Sequence, residues 1–199
     1  MSEKQEQATA KKPKTVAGIL FEYVEMFVFA ALAVILLMTF AARICVVSGD
    51  SMNVTLLNGE RLIVSNLFYT PQKGDIIVFH QTSDTSDRFN EPIVKRVIAT
   101  GGEFVKVDHI RHRVYVSADD VFTADELLPE PYIIAGRPNY EVPDVWVYAV
   151  PEGHLFVMGD NRLVSADSQY GEVGFVDERR VLGKVLFRLT PFEKFGPVE

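Results

Sequence analysis

Two residue types in this chain could do acyl-transfer chemistry together, a serine in a turn and a lysine in an apolar strand. The serine is Ser51, within Ser48-Gly49-Asp50-Ser51-Met52. A hydroxyl needs a base before it can attack a carbonyl, and histidine backed by a carboxylate is the usual one. The four histidines, His80, His109, His112 and His154, sit in no recognisable triad motif and read as surface or turn residues. Lysine is the alternative base. In Ile93-Val94-Lys95-Arg96-Val97-Ile98, strand alternation puts Lys95 on the face of Ile93 and Val97, and Arg96 on the other. A free lysine titrates near 10.4, so a lysine base must titrate roughly two to three pH units lower, at about 3 to 4 kcal/mol of disfavoured charge. An apolar pocket without a carboxylate achieves this by desolvation, whereas a salt bridge does the opposite. A third polar cluster follows an apolar strand: Gly159-Asp160-Asn161-Arg162, then Ser165-Ala166-Asp167-Ser168-Gln169. Each feature alone has a plainer reading: a turn hydroxyl, a lysine snorkelling at a sheet edge, a polar Asx-rich loop.

The elements that must position these groups fall into two kinds. Residues 1–15 are polar, with Lys4, Lys11, Lys12 and Lys14 set against Glu3 and Glu6, and read as a disordered cytoplasmic arm. Residues 26–42 (MFVFAALAVILLMTFAA) are apolar but for Thr39, and Ile19, Leu20 and Phe21 can extend the run, with Glu22 and Glu25 near a headgroup region. As a helix the run spans roughly 26 Å, at the short end for a membrane crossing. It is long for the apolar stretch of a cleavable signal and has no clear small-x-small site after it. The expected anchor is 16–42. Four lysines precede it, and only Arg43 and Arg61 follow within twenty residues, so the N-terminus is expected in the cytoplasm and residues 43–199 outside.

Beyond residue 43 the chain reads as short strands rich in Val, Ile and Phe, at 61–65, 75–79, 93–99, 104–107, 113–116, 145–150, 155–158 and 181–189. This predicts a mostly β, antiparallel sheet or barrel-like domain. Residues 117–144, acidic and carrying Pro129, Pro131, Pro138 and Pro143, read as a solvated excursion from the core and not as a calcium loop. The net charge of −7 and the lack of a Lys/Arg cluster beyond the arm argue against a nucleic-acid partner. The single cysteine, Cys45, excludes an intrachain disulfide and a cysteine-based zinc site.

Four boxes, Ser51-Met52-x-x-Thr55-Leu56, Gly74-Asp75-Ile76-Ile77-Val78-Phe79, Lys95-Arg96-Val97-Ile98 and Gly159-Asp160-Asn161-Arg162-x-x-Ser165-x-Asp167-Ser168, stand in the order and rough spacing of one family. Behind an N-terminal anchor, the chain resembles the bacterial type I signal peptidases over residues 20–189. The resemblance implies Ser51 as nucleophile, neutral Lys95 as general base, and the Ser51 main-chain N–H as oxyanion donor. It implies further that Ser165 hydrogen-bonds and aims Lys95, that Asp167 pairs with Arg96 away from the base, and that Asp160 and Arg162 brace the loop. The implied enzyme is a single-pass protein of the cell membrane, its β domain resting on the outer leaflet. It would cut exported preproteins after small residues at the first and third positions before the cleavage point, without metal or cofactor. Three positions depart from the family pattern: Val54 replaces a proline, Gly49 a serine that serves some members as a second oxyanion donor, and Gln169 an arginine. A self-cleaving Ser/Lys regulator and a non-catalytic membrane-anchored β module are the alternatives.

Overall fold

The computed structural model describes residues 15–40, 42–81, 91–133 and 144–198. The chain divides after Phe40 into two units. Among the described residues the first contains one helix, α1 (Val16–Phe40). Thr15 caps it: its Oγ1 accepts the Gly18 N–H at 3.3 Å, so the helix starts where the polar arm ends. Val16–Leu36 is long and apolar enough to cross a membrane, and its apolar side chains face outward on all sides instead of packing into a core. The bulk of the expected disordered arm, residues 1–14, lies outside the described residues.

The second unit is mostly β and antiparallel throughout. Its strands are β1 (Arg43–Val46), β2 (Arg61–Ser65), β3 (Ile76–Phe79), β4 (Ile93–Thr100), β5 (Phe104–Asp108), β6 (Arg113–Ser117), β7 (Val145–Ala149), β8 (His154–Met158), β9 (Val176–Asp177), β10 (Val181–Thr190) and β11 (Gly196–Pro197). The larger sheet runs β1-β2-β10-β3-β4-β8-β9, with β11 on β10, and the smaller runs β6-β5-β7. Among the described residues the two ends of the larger sheet do not pair, so it is an open sheet and not a closed barrel. Register shifts on β10 against both β2 and β3 break its regularity. At one of them Gly183 lies so close to β2 that a Cβ would stand 2.5 Å from the Ser65 carbonyl carbon.

Alternation sorts the strand residues into separate cores. Ile76 and Val78 join Met52, Leu56, Leu62, Val64 and Val185, while Ile77 and Phe79 join Val97, Leu155, Val157 and Val181. A third cluster, including Val105, Val107, Val114, Phe156 and Met158, joins the small sheet to β4 and β8. The 117–144 excursion is less solvated than expected. Val116 N–H donates to Glu126 O, Leu128 N–H donates to Val114 O, and Leu128 packs on the third cluster, because an unpaired β6 edge offers it backbone partners. Residues 134–143, with Pro138 and Pro143, lie outside the described residues.

Candidate active site

Ser51 stands in the turn that follows β1. The turn is anchored on both sides by burial: Met52 is 1% exposed and Leu56 is fully enclosed. Gly49, at φ 88°, adopts a left-handed conformation that a serine would resist, and its N–H donates to Asn58 Oδ1. Asn161 holds the same turn from the far loop, with its N–H on Ser51 O at 2.9 Å and its side-chain amide on Asp50 O at 3.0 Å. Among the described residues the Ser51 N–H meets no acceptor. Thr55, downstream of Val54, donates to Asp160 Oδ2 at 2.6 Å, so the turn is held without the proline.

Lys95 arrives from β4, opposite Ile77 of β3. Its Nζ and Ser51 Oγ form a 2.6 Å hydrogen bond across 44 residues of sequence. The side chain is buried, and burial lowers the amine to about 8. The carboxylates of Asp167 and Asp160 oppose that fall. The expectation of a pocket free of carboxylates therefore needs correction: two are near enough to act on the amine, and desolvation outweighs them. A cavity of about 610 Å³ opens beside the pair, walled by Cys45, Leu62, Val78, Val94 and Val164. No histidine lines it among the described residues. His109, read from sequence as a surface or turn residue, is in fact buried, its ring 5.0 Å from that of Trp146.

The ionic partners differ from those the family resemblance implied. Arg96 grips Asp160, not Asp167, through Nε to Oδ1 at 2.9 Å and Nη2 to Oδ2 at 2.8 Å, and its Nη1 donates to Gly74 O at 2.8 Å. Both side chains are almost wholly buried. A planar fork facing a carboxylate is the geometry that best offsets the loss of water. Asp167 instead accepts from Ser165 Oγ at 2.9 Å, from Gly159 N–H at 3.2 Å, and from the N–H and side-chain amide of Gln169. The Ser165 hydroxyl, expected on Lys95, sends its proton to Asp167 and accepts the Gly159 N–H at 3.1 Å, which makes it part of the loop's internal frame. Gln169 thus supplies Asp167 with hydrogen bonds at the position where the family pattern has an arginine, without adding charge. Arg162 is buried, donates through Nε to Gly159 O at 2.9 Å, and pairs with Glu130 through both Nη atoms. Gly159 is the tightest point of the loop. A Cβ there would lie 2.4 Å from Ser51 O and 2.3 Å from Ser165 Oγ.

Sequence reasoning did not assign Glu130 or Tyr132 to the site. Tyr132 lays its ring over the Arg96 guanidinium, 4.0 Å from its carbon to the ring centre. Neither residue belongs to a motif, and no local signal marks them. Taken together, a buried amine of depressed basicity on a hydroxyl, beside an apolar cavity and an unclaimed main-chain N–H, can carry out attack on a carbonyl by serine with lysine as base.

Comparison with known proteins points the same way. A family model described as signal peptidase, peptidase S26, matches residues 20–190. The chain is 36% identical over 185 residues to the probable signal peptidase I-1 of Synechocystis sp., covering 88% of this chain and 85% of that protein. It is 32% identical over 199 residues to the signal peptidase I of Bacillus licheniformis, covering 96% of each. Over 159 residues it is 33% identical to signal peptidase IB of Staphylococcus aureus, covering 75% of this chain and 78% of that one.

Proposed function

Since the chain belongs to the signal peptidase family, peptidase S26, we propose that it removes signal peptides from exported preproteins with Ser51 as nucleophile and Lys95 as general base. The observation that carries this assignment is the 2.6 Å hydrogen bond between Lys95 Nζ and Ser51 Oγ, made by an amine that burial brings down to about 8. In that state an appreciable fraction of the amine is neutral near pH 8 and can accept the hydroxyl proton. As the proton leaves, Ser51 Oγ bonds to the scissile carbonyl carbon, and the developing oxyanion turns to the Ser51 N–H. The Lys95 ammonium then delivers its proton to the leaving amine, the C–N bond breaks, and an acyl-enzyme remains. Water attacks the ester in turn, Lys95 takes its proton and returns it to Ser51 Oγ as the acyl C–O bond breaks, and the free hydroxyl and neutral amine are restored.

The Cys45, Leu62, Val78 and Val94 walls of the cavity support a preference for small uncharged residues before the cleavage point, because a charged side chain laid against those walls would lose its water. An N-terminus in the cytoplasm and a β domain outside follow from four lysines before α1 and two arginines soon after it. Contact of the β domain with lipid is supported by the outer face of the larger sheet. Ile44, Ile63 and Phe187 align there in register, Phe195 packs on Phe187, and Ile44 and Phe195 are more than half exposed. Ile44→Ser with Phe195→Ser should abolish stimulation of the enzyme by phospholipid over detergent alone, and undiminished stimulation would remove this face from the proposal.

The decisive test is cleavage of a preprotein by the full chain in detergent. The parent should yield the mature product, and Ser51→Ala and Lys95→Ala should yield none. Undiminished processing by Lys95→Ala would refute the dyad. Cleavage of the chain itself with the preprotein left intact would favour a self-cleaving regulator.

A further inference from the structure

The segment 117–133 contributes no residue to the cavity beside Ser51, yet two of its side chains reach the frame that holds the dyad. Arg96 is next to Lys95 on β4, and Asp160 is next to Asn161, which binds Ser51 O. The Arg96–Asp160 pair therefore ties the strand bearing the amine to the turn bearing the hydroxyl, and Thr55 on Asp160 adds a second tie to that turn. Two buried guanidinium groups stand in this frame, and each meets the excursion. The ring of Tyr132 closes over Arg96. Glu130 holds Arg162, whose Nε fixes Gly159 O, the residue wedged against Ser51 O. The Tyr132 hydroxyl donates to Glu130 Oε1 at 3.3 Å, so the two contacts form one unit.

We propose that Glu130 and Tyr132 are positioning residues for the reaction, a clamp from outside the catalytic boxes that holds Arg96 and Arg162 and thereby sets the Ser51–Lys95 separation. The proposal rests on the Ser/Lys reading above. A buried guanidinium left without its carboxylate seeks another anion. For Arg162 the anion whose charge already favours it, after Glu130, is Asp167, which frames Ser165 and Gly159 and also acts on Lys95. Loosening the clamp thus disturbs the geometry of attack without touching bound substrate, and misplacement of about 1 Å in a catalytic pair lowers turnover on the order of a hundredfold.

The test uses the full chain in detergent, a signal-peptide substrate, and turnover normalised to active sites titrated with an acylating reagent. Tyr132→Phe keeps the ring over Arg96 and should retain kcat within about twofold, whereas Tyr132→Leu keeps an apolar side chain but removes the π-face and should lose about tenfold, with KM unchanged. Glu130→Gln should lose kcat on a similar scale. Its acid limb should also move to lower pH, because Arg162 then draws on Asp167, one of the two carboxylates facing Lys95. Should Tyr132→Leu fail to fold, Glu130→Gln carries the test through its kcat, its KM and its acid limb. Parental kcat in Tyr132→Leu and Glu130→Gln would overturn the proposal, as would equal losses in Tyr132→Phe and Tyr132→Leu, or a rise in KM in place of a fall in kcat. Activity of Ser51→Ala in the same series would instead overturn the dyad itself.

Discussion

Replacing Lys95 with methionine should make the protein more stable near neutral pH, by an amount that fades as the pH rises. Burial takes the amine from 10.5 to about 8, and at 1.36 kcal/mol per pH unit that difference is worth about 3 kcal/mol. Between those two values the unfolded chain binds the proton more tightly than the folded one, so the parent gains stability as pH rises through the window. Below pH 8 both states are protonated and the full penalty applies. Above 10.5 neither is, and the penalty is gone. Methionine fills a similar volume without charge but forgoes the bond to Ser51, a loss of about 1 kcal/mol. The variant should therefore exceed the parent by about 2 kcal/mol at pH 6.5 and by little at pH 9.5, where about 1.4 kcal/mol of penalty remains. Urea unfolding of the full chain in detergent, followed through Trp146, the single tryptophan, measures this at each pH. A difference that stays flat across pH 6.5–9.5 would refute the depressed amine. A variant that is several kcal/mol weaker at every pH would mean that Lys95 is held as a cation by its carboxylates.

Three further outcomes follow from the same geometry. The value of kcat/KM should rise about tenfold per pH unit on the acid side and bend to a plateau near pH 8; a profile flat from pH 5 would exclude an amine base of that basicity. Gly159→Ala places a methyl group against Ser51 O and Ser165 Oγ, so preprotein cleavage should fall to background even where circular dichroism shows folded protein. Asp160→Asn strips the buried Arg96 of its counter-ion and should cost about 3 to 5 kcal/mol in urea unfolding. What activity survives should show an acid limb at lower pH than the parent, since the Asp160 carboxylate raises the Lys95 amine.

Much of the architecture was legible as pattern. Alternation in Ile76-Ile77-Val78-Phe79 sends neighbouring residues to different cores, and Val/Ile enrichment marks eight of the eleven strands among the described residues to within a residue or two. The three missed strands have reasons. β1 continues the apolar composition of the helix with no turn signal before it, and β9 and β11, of two residues each, are too short for periodicity to register. The order β1-β2-β10-β3-β4-β8-β9 was not legible at all, because alternation tells which way a side chain faces and not which strand lies beside it.

The sequence by itself determined that an apolar helix precedes a β domain, and that Ser51, Lys95 and the 159–168 loop stand in the boxes of a signal peptidase. Those properties reside in local composition and in the order of motifs along the chain. Tertiary structure alone decided that Arg96 chooses Asp160 over Asp167, that Ser165 serves Asp167, and that Glu130 and Tyr132 close over the arginines. It also decided how basic Lys95 is. A pairing between charges depends on angstrom distances between segments 30 to 65 residues apart, and the basicity of an amine depends on how much water its neighbours exclude. Both emerge only when distant elements are packed together.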